Sequence, residues 1–110
     1  MRGFGGMGSL GSMGNLMKQA QKMMEQGRQA IAALENERVE ATSGGGIVRA
    51  EVSGMGRLVA IEIKPEAVDP EDVEMLQDLV LSAVREAQEK AEEMKKKRLG
   101  QLTGGLDLPL

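Results

Sequence analysis

The chain has 110 residues, with 14 Lys and Arg against 17 Asp and Glu and a formal net charge of −3. That length suits one domain, since independent cores usually need roughly 100 to 200 residues each. It contains no Cys and no His, which excludes a disulfide framework and thiolate metal sites and gives no support to oxidising export or a zinc module.

Residues 1–14 and 100–110 are dominated by Gly, Met and Leu. They read as a flexible Gly/Met-rich N-terminal tail and a flexible C-terminal tail around a single α/β dimerising domain at 15–99. Arg2 is followed by Gly-interrupted Met, Leu and Phe4 rather than a continuous apolar stretch, so no signal peptide is expected, and no run approaches transmembrane length. A soluble cytosolic protein is the expectation. A domain this small buries a modest fraction of its surface, and a second copy is a common way to finish the core.

From Asn15 to about Glu37 the positions Leu16, Ala20, Met23, Gly27, Ala30 and Leu34 alternate steps of four and three, which predicts a first helix with one apolar face and Asn15 as its N-cap. Small residues at Ala20, Gly27 and Ala30 let another element approach that face closely. From Arg38 the period changes to two. Val39 and Ala41, then Val48, Ala50 and Val52, then Val59, Ile61 and Ile63 face one way, while Glu40, Arg49, Glu51, Glu62 and Lys64 face the other. Three strands of an antiparallel sheet with one wet side follow. The reversals between them fall on Gly44–Gly46 and on the Ser53 to Gly56 stretch, where glycine supplies the positive φ of tight turns.

The second helix is expected to open with Asp69 as N-cap and Pro70 at its first position, with Glu71 and Asp72 in the first turn. Its stripe is Val73, Leu76, Val80, Ala83, Ala87, Ala91 and Met94, supported by the i,i+4 pairs Glu86–Lys90, Glu92–Lys96 and Glu93–Lys97. It ends near Gly100. At 1.5 Å per residue this is a rod of roughly 43 Å, longer than such a domain is wide. Part of it therefore projects, and a homodimer with extended arms would cover its exposed Ala and Met stripe.

The order helix, three strands, helix resembles the YbaB/EbfC family of bacterial nucleoid-associated proteins. So do Met17-Lys18-Gln19-Ala20-Gln21-Lys22-Met23, Ser43-Gly44-Gly45-Gly46-Ile47-Val48 and Val52-Ser53-Gly54-Met55-Gly56. Glu62-Ile63-Lys64-Pro65 and the Asp72 to Leu79 stretch complete the resemblance, which spans the chain and rests on order and spacing. It implies an α+β fold of α-β-β-β-α order, a tweezer-like homodimer, and DNA binding with little sequence preference in the bacterial cytoplasm.

The residues themselves nominate Lys95, Lys96, Lys97 and Arg98 for phosphate contacts, with Lys18, Lys22 and Arg28 on the first helix as an extension of the basic stripe. A structural alternative stands beside each. Basic residues in a helix's last turn also complement its dipole, and the first-helix trio also fits a solvated face. Phe4 is the only aromatic residue, so stacking platforms for single strands are missing and duplex DNA is the better ligand. No helix-turn-helix or zinc-finger pattern supports base readout. Gly44–Gly46 leads into a strand rather than a helix, against a phosphate-binding loop. The carboxylates lie on wet helical faces, not in a cleft suited to acid–base chemistry. Neither an enzyme, a cofactor nor a small-molecule substrate is expected. The runner-up is a structural or protein-interaction module, an accessory factor in DNA replication or repair whose Met and Ala stripes dock a protein.

Overall fold

A computed structural model describes the backbone of residues 2–102 and the side chains of residues 12–102. The elements run α1 (Arg2–Asn36), β1 (Arg38–Ser43), β2 (Val48–Ser53), β3 (Leu58–Ile63), a 3-10 turn (Pro65–Ala67) and α2 (Val73–Leu102). This is the expected α-β-β-β-α order. The sheet is an antiparallel meander, β1-β2-β3, closed by a turn at Gly44–Ile47 and another at Ser53–Gly56 in which Gly44, Gly45, Gly46 and Gly56 all take positive φ. The first turn is anchored twice. Lys64 N–H donates to the Ile47 carbonyl at 2.8 Å, and Ser43 Oγ donates to the Leu79 carbonyl of α2 at 2.6 Å.

Register explains the two faces. Val39 lies opposite Val52, Ala41 opposite Ala50, and Val48 opposite both Ser43 and Ile63, so these side chains share the face on which α2 packs. Ala83, Ala87 and Ala91 of α2 are fully buried there with Ala41, Val48, Ala50 and Val52. Alanine on helix and sheet lets the two backbones approach closely, so a larger residue has nowhere to go. Ala87→Leu is expected to cost about 1 to 3 kcal/mol by overpacking, read as a lowered melting temperature.

The β3 strand departs from strict alternation. A register shift beside Glu51 and Val52 pairs Val52 with Leu58, so Leu58 rather than Val59 stands opposite Val52. The extra residue of a bulge breaks the period of two. α2 crosses β1 and β2, and β3 stays open, with Leu58, Val59, Ile61 and Ile63 each 39–44% exposed.

Both helix starts differ from the sequence reading. α1 begins at Arg2 and passes through Asn15 without a break. Each helical Gly costs about 1 kcal/mol relative to Ala and does not forbid the helix. α2 begins at Val73, with Asp72 as its cap: Asp72 Oδ1 accepts from Met75 N–H at 3.2 Å. Asp69 instead nucleates a separate turn, its Oδ1 accepting from Glu71 N–H at 3.0 Å and its carbonyl from Asp72 N–H at 2.9 Å. Proline after Asp69 suits position two of that turn. At the other end α2 extends through Gly100 to Leu102; the rest of the expected C-terminal tail, 103–110, lies outside the described residues.

The C-terminal helix is long, as expected, and the molecule is extended, 86 × 21 × 16 Å. Most of the uncovered length belongs to α1. Of its expected stripe only Ala30 and Leu34 are buried, while Leu16 and Met23 are 63% and 51% exposed. Among the described residues only the last turns of α1 reach the sheet and α2, and no element lies over the rest.

The junction centres on Gly54. Its N–H donates to the carbonyls of Leu34 at 2.8 Å and Glu37 at 3.1 Å, satisfying acceptors that the end of a helix leaves open. Beside it Ser53 Oγ accepts from Met55 and Arg57 N–H, each at 3.2 Å.

Candidate nucleic-acid interface

Successive residues of a helix are turned by about 100°, so four consecutive cations cannot share one face. The run Lys95–Arg98 splits accordingly. Lys96 and Lys97 are exposed and, with Lys90, Glu93 and Met94, line a shallow open hollow. Lys95 is half-buried and pairs with Glu92 at 3.8 Å. Arg98 is half-buried and bound to Glu37, at the end of α1, by a hydrogen-bonded ion pair. The run thus places two mobile charges outward and uses one guanidinium to clasp α2 to α1.

Glu92 reaches Lys95 rather than Lys96, and neither Glu86–Lys90 nor Glu93–Lys97 closes to an ion pair among the described residues. Exposed pairs gain so little over solvent that side-chain entropy decides their geometry. Lys90 Nζ instead points to the Glu40 carbonyl of β1 at 3.4 Å. Lys90 lies outside the residues that the sequence nominates for phosphate contacts. Its signal was its place one heptad before Lys97, which sets both on one side of α2.

The helix-dipole role of Lys95–Arg98 loses its footing. α2 continues to Leu102 and carries no basic residue in its last turn. What remains along α2 is polarity of charge. Glu74 and Asp78 stand near its start, where Asp72, Met75 and Ser82 join them around an acidic hollow, and the lysines gather near its end. A net negative chain can therefore present a positive end to a polyanion.

On α1, Lys18 and Lys22 are exposed with no ion-pair partner among the described residues, whereas Arg28 pairs with Glu25 at 3.8 Å. Lys22 lies about 18 Å along the helix from Leu34, where α1 meets the sheet. Among the described residues no ion pair or hydrogen bond joins Lys18 or Lys22 to α2; they form a separate stretch of positive charge on the arm.

The wet face of the sheet offers no free cation at its centre. Arg49 is held by Glu40 at 2.9 Å, Glu51 at 3.1 Å and Glu62 at 3.6 Å, and Arg38 by Glu51 at 3.7 Å. The hydrogen bond to Glu51 above all, then the charge of Glu40, raises the Arg49 pKa above its ordinary value. The network loses the arginine charge only as pH climbs past the ordinary arginine range. Among the described residues no group of three His, Cys, Asp or Glu could hold a metal ion, and no helix is long and apolar enough to cross a membrane.

Arg98→Ala is expected to destabilise the fold by about 1 kcal/mol, since both partners are roughly one-third exposed. Thermal melts read this. Any loss of nucleic-acid affinity should be smaller than for Lys96→Ala or Lys97→Ala.

Comparison with known proteins agrees with this architecture. The chain is 54% identical to a nucleoid-associated protein of Alkaliphilus metalliredigens, over 98% of this chain and 95% of the relative. It is also 54% identical to one of Clostridium acetobutylicum, over 97% and 95%. The crystal structure of an uncharacterized protein from Helicobacter pylori superposes with a TM-score of 0.73 at 26% identity, covering 81% of this chain and 94% of that one. Residues 8–106 match the model of the YbaB/EbfC DNA-binding family, and the chain belongs to that family.

Proposed function

We propose that the chain is a nucleoid-associated protein of the bacterial cytoplasm that binds duplex DNA as a homodimer, with little sequence preference and without enzymatic activity. The observation that carries the reading is the pair Lys96 and Lys97, exposed together at the basic end of α2 with no ion-pair partner among the described residues, in a member of a DNA-binding family. Lysines free of carboxylates keep counterions that a phosphate backbone can displace, and this release drives binding that ignores sequence. Lys90, Lys18 and Lys22 add to the contact. Arg28 and Lys95 join it at the cost of their glutamates, and Arg98 serves mainly the junction with α1.

The homodimer is supported by β3. Its residues Leu58, Ile61 and Ile63 carry the helix-facing side of the sheet beyond α2 and stay exposed, and an edge strand left open in this way invites a second copy about a two-fold axis. Doubling the chain doubles the number of lysines, which suits a ligand that repeats its charge.

Gel retardation of several unrelated duplexes of equal length, with mass measured by light scattering, tests the reading. Equal retardation of all the duplexes by protein of at least dimeric mass is expected. A monomer indifferent to all duplexes at low salt contradicts it.

A further inference from the structure

The arm formed by α1 presents a second pattern. Met13, Met17, Ala20, Met24, Gly27 and Ile31 recur in steps of four and three, the seven-residue repeat of helices that pack along a shared seam. Met13 is 56% exposed, Met17 63%, Met24 62% and Ile31 40%, so no element among the described residues covers them. Leu16 and Met23 widen the strip on one side, and Gln21 and Arg28 border it on the other.

Two features say what covers this strip. The first is size. Set antiparallel on a copy of itself, the strip places Met24 against Ala20 and Met17 against Gly27, with Ile31 against Met13 at each end. Every central layer joins a long flexible side chain to a small one, and the same register repeats across the two-fold axis, closing the pair. A Cβ added at Gly27 meets nothing within 4 Å in its own chain, so the space beside it is open for the partner's methionine.

The second is area. The strip from Met13 to Ile31 is about 27 Å long on a helix about 10 to 12 Å across, which covers roughly 550 to 650 Å2 for a pair, the scale of a weak, reversible contact. An unsupported helix holding Gly14 and Gly27 also gains little from propensity, and packing is the ordinary source of helix stability.

We propose that α1 is a self-docking seam through which two copies pair antiparallel over Met13–Ile31, independently of the β3 face. Where β3 also joins two copies, the α1 seam links one such dimer to the next and can hold two stretches of DNA together; only this linkage rests on the homodimer reading above. Its small area makes the pairing dependent on concentration.

Sedimentation of the full chain tests the seam, with Met17→Glu/Met24→Glu removing the α1 strip and Ile61→Glu/Ile63→Glu removing the β3 face. The expected result is a species larger than a dimer that falls to a dimer with either pair and to a monomer with both. A dimer that becomes monomeric with the α1 changes alone supports the seam and overturns the β3 reading. A dimer untouched by the α1 changes and split by the β3 changes overturns the seam and leaves the homodimer standing; a mass untouched by either, or a monomer throughout, overturns both. The chain has no Cys, which permits an independent check: mixing Ala20→Cys with Met24→Cys chains should give a mixed disulfide in preference to either self-pair. Dominance of the Ala20→Cys self-pair overturns the antiparallel register, and a mixture that forms no disulfide while other proteins are captured instead assigns the strip to a different partner.

Discussion

The Lys96→Glu/Lys97→Glu variant is expected to lose retardation of duplex DNA at protein concentrations that shift all of it with the unaltered chain. Both lysines face solvent, and neither makes an ion pair among the described residues. Their exchange removes charge without removing support from the fold. The neutral variant, Lys96→Gln/Lys97→Gln, isolates the effect. In a homodimer it removes four lysines, and at roughly one unit of salt slope per phosphate contact the slope of log affinity against log salt should flatten by about 3 to 4. The affinity at low salt should fall by at least about 100-fold. Circular dichroism and melting temperature should stay unchanged, which separates loss of contact from loss of structure. Retardation that survives both variants would move the interface away from α2.

The largest effect on stability is expected from Gly54→Ala. The backbone of Gly54 runs so near the end of α1 that a Cβ would stand 2.5 Å from the Leu34 carbonyl oxygen and 3.0 Å from the Met94 methyl. The methyl can swing aside. The carbonyl cannot, because it belongs to a helix and accepts the Gly54 N–H at 2.8 Å. Overpacking of about 1 to 3 kcal/mol and the weakened hydrogen bond together predict a loss of about 2 to 4 kcal/mol, or on the order of 10 to 20 °C in melting temperature. Gly14→Ala is the control. Nothing lies within 4 Å of the Cβ it would add, and helix propensity alone predicts a gain of up to about 1 kcal/mol.

The strands and their turns were legible in the sequence because two signals agreed there. The period of two stops at glycines, and Gly44, Gly45, Gly46 and Gly56 among them take the positive φ that only glycine adopts readily. The stripe of α2 was legible for the same reason, its alanines lying on one face at helical spacing and ending fully buried. The start of α2 was displaced because Asp69 and Asp72 carry the same capping chemistry three residues apart, and only the turn at Pro70 decides between them. The early start of α1 was hidden by its glycines, although Phe4, Met7, Leu10, Met13 and Met17 already keep steps of three and four.

At the candidate site, composition located the basic run but not its division. Arg98 turns inward to Glu37, a partner 61 positions away in sequence, and Lys95 turns toward Glu92. Lys90 reads in the sequence as the partner of Glu86 rather than as part of the basic run; the hollow that it shares with Lys96 and Lys97 exists only once α2 is wound. The uncovered faces of α1 and β3 were illegible for a different reason. An apolar stripe looks the same in sequence whether its own chain or another copy lies upon it.

Lysines on two joined chains are expected to displace counterions from a phosphate backbone. Titrating salt against the affinity for one duplex measures this directly. With about six phosphates contacted, log affinity should fall against log salt with a slope near −5; an affinity that stays level as salt rises would contradict the account.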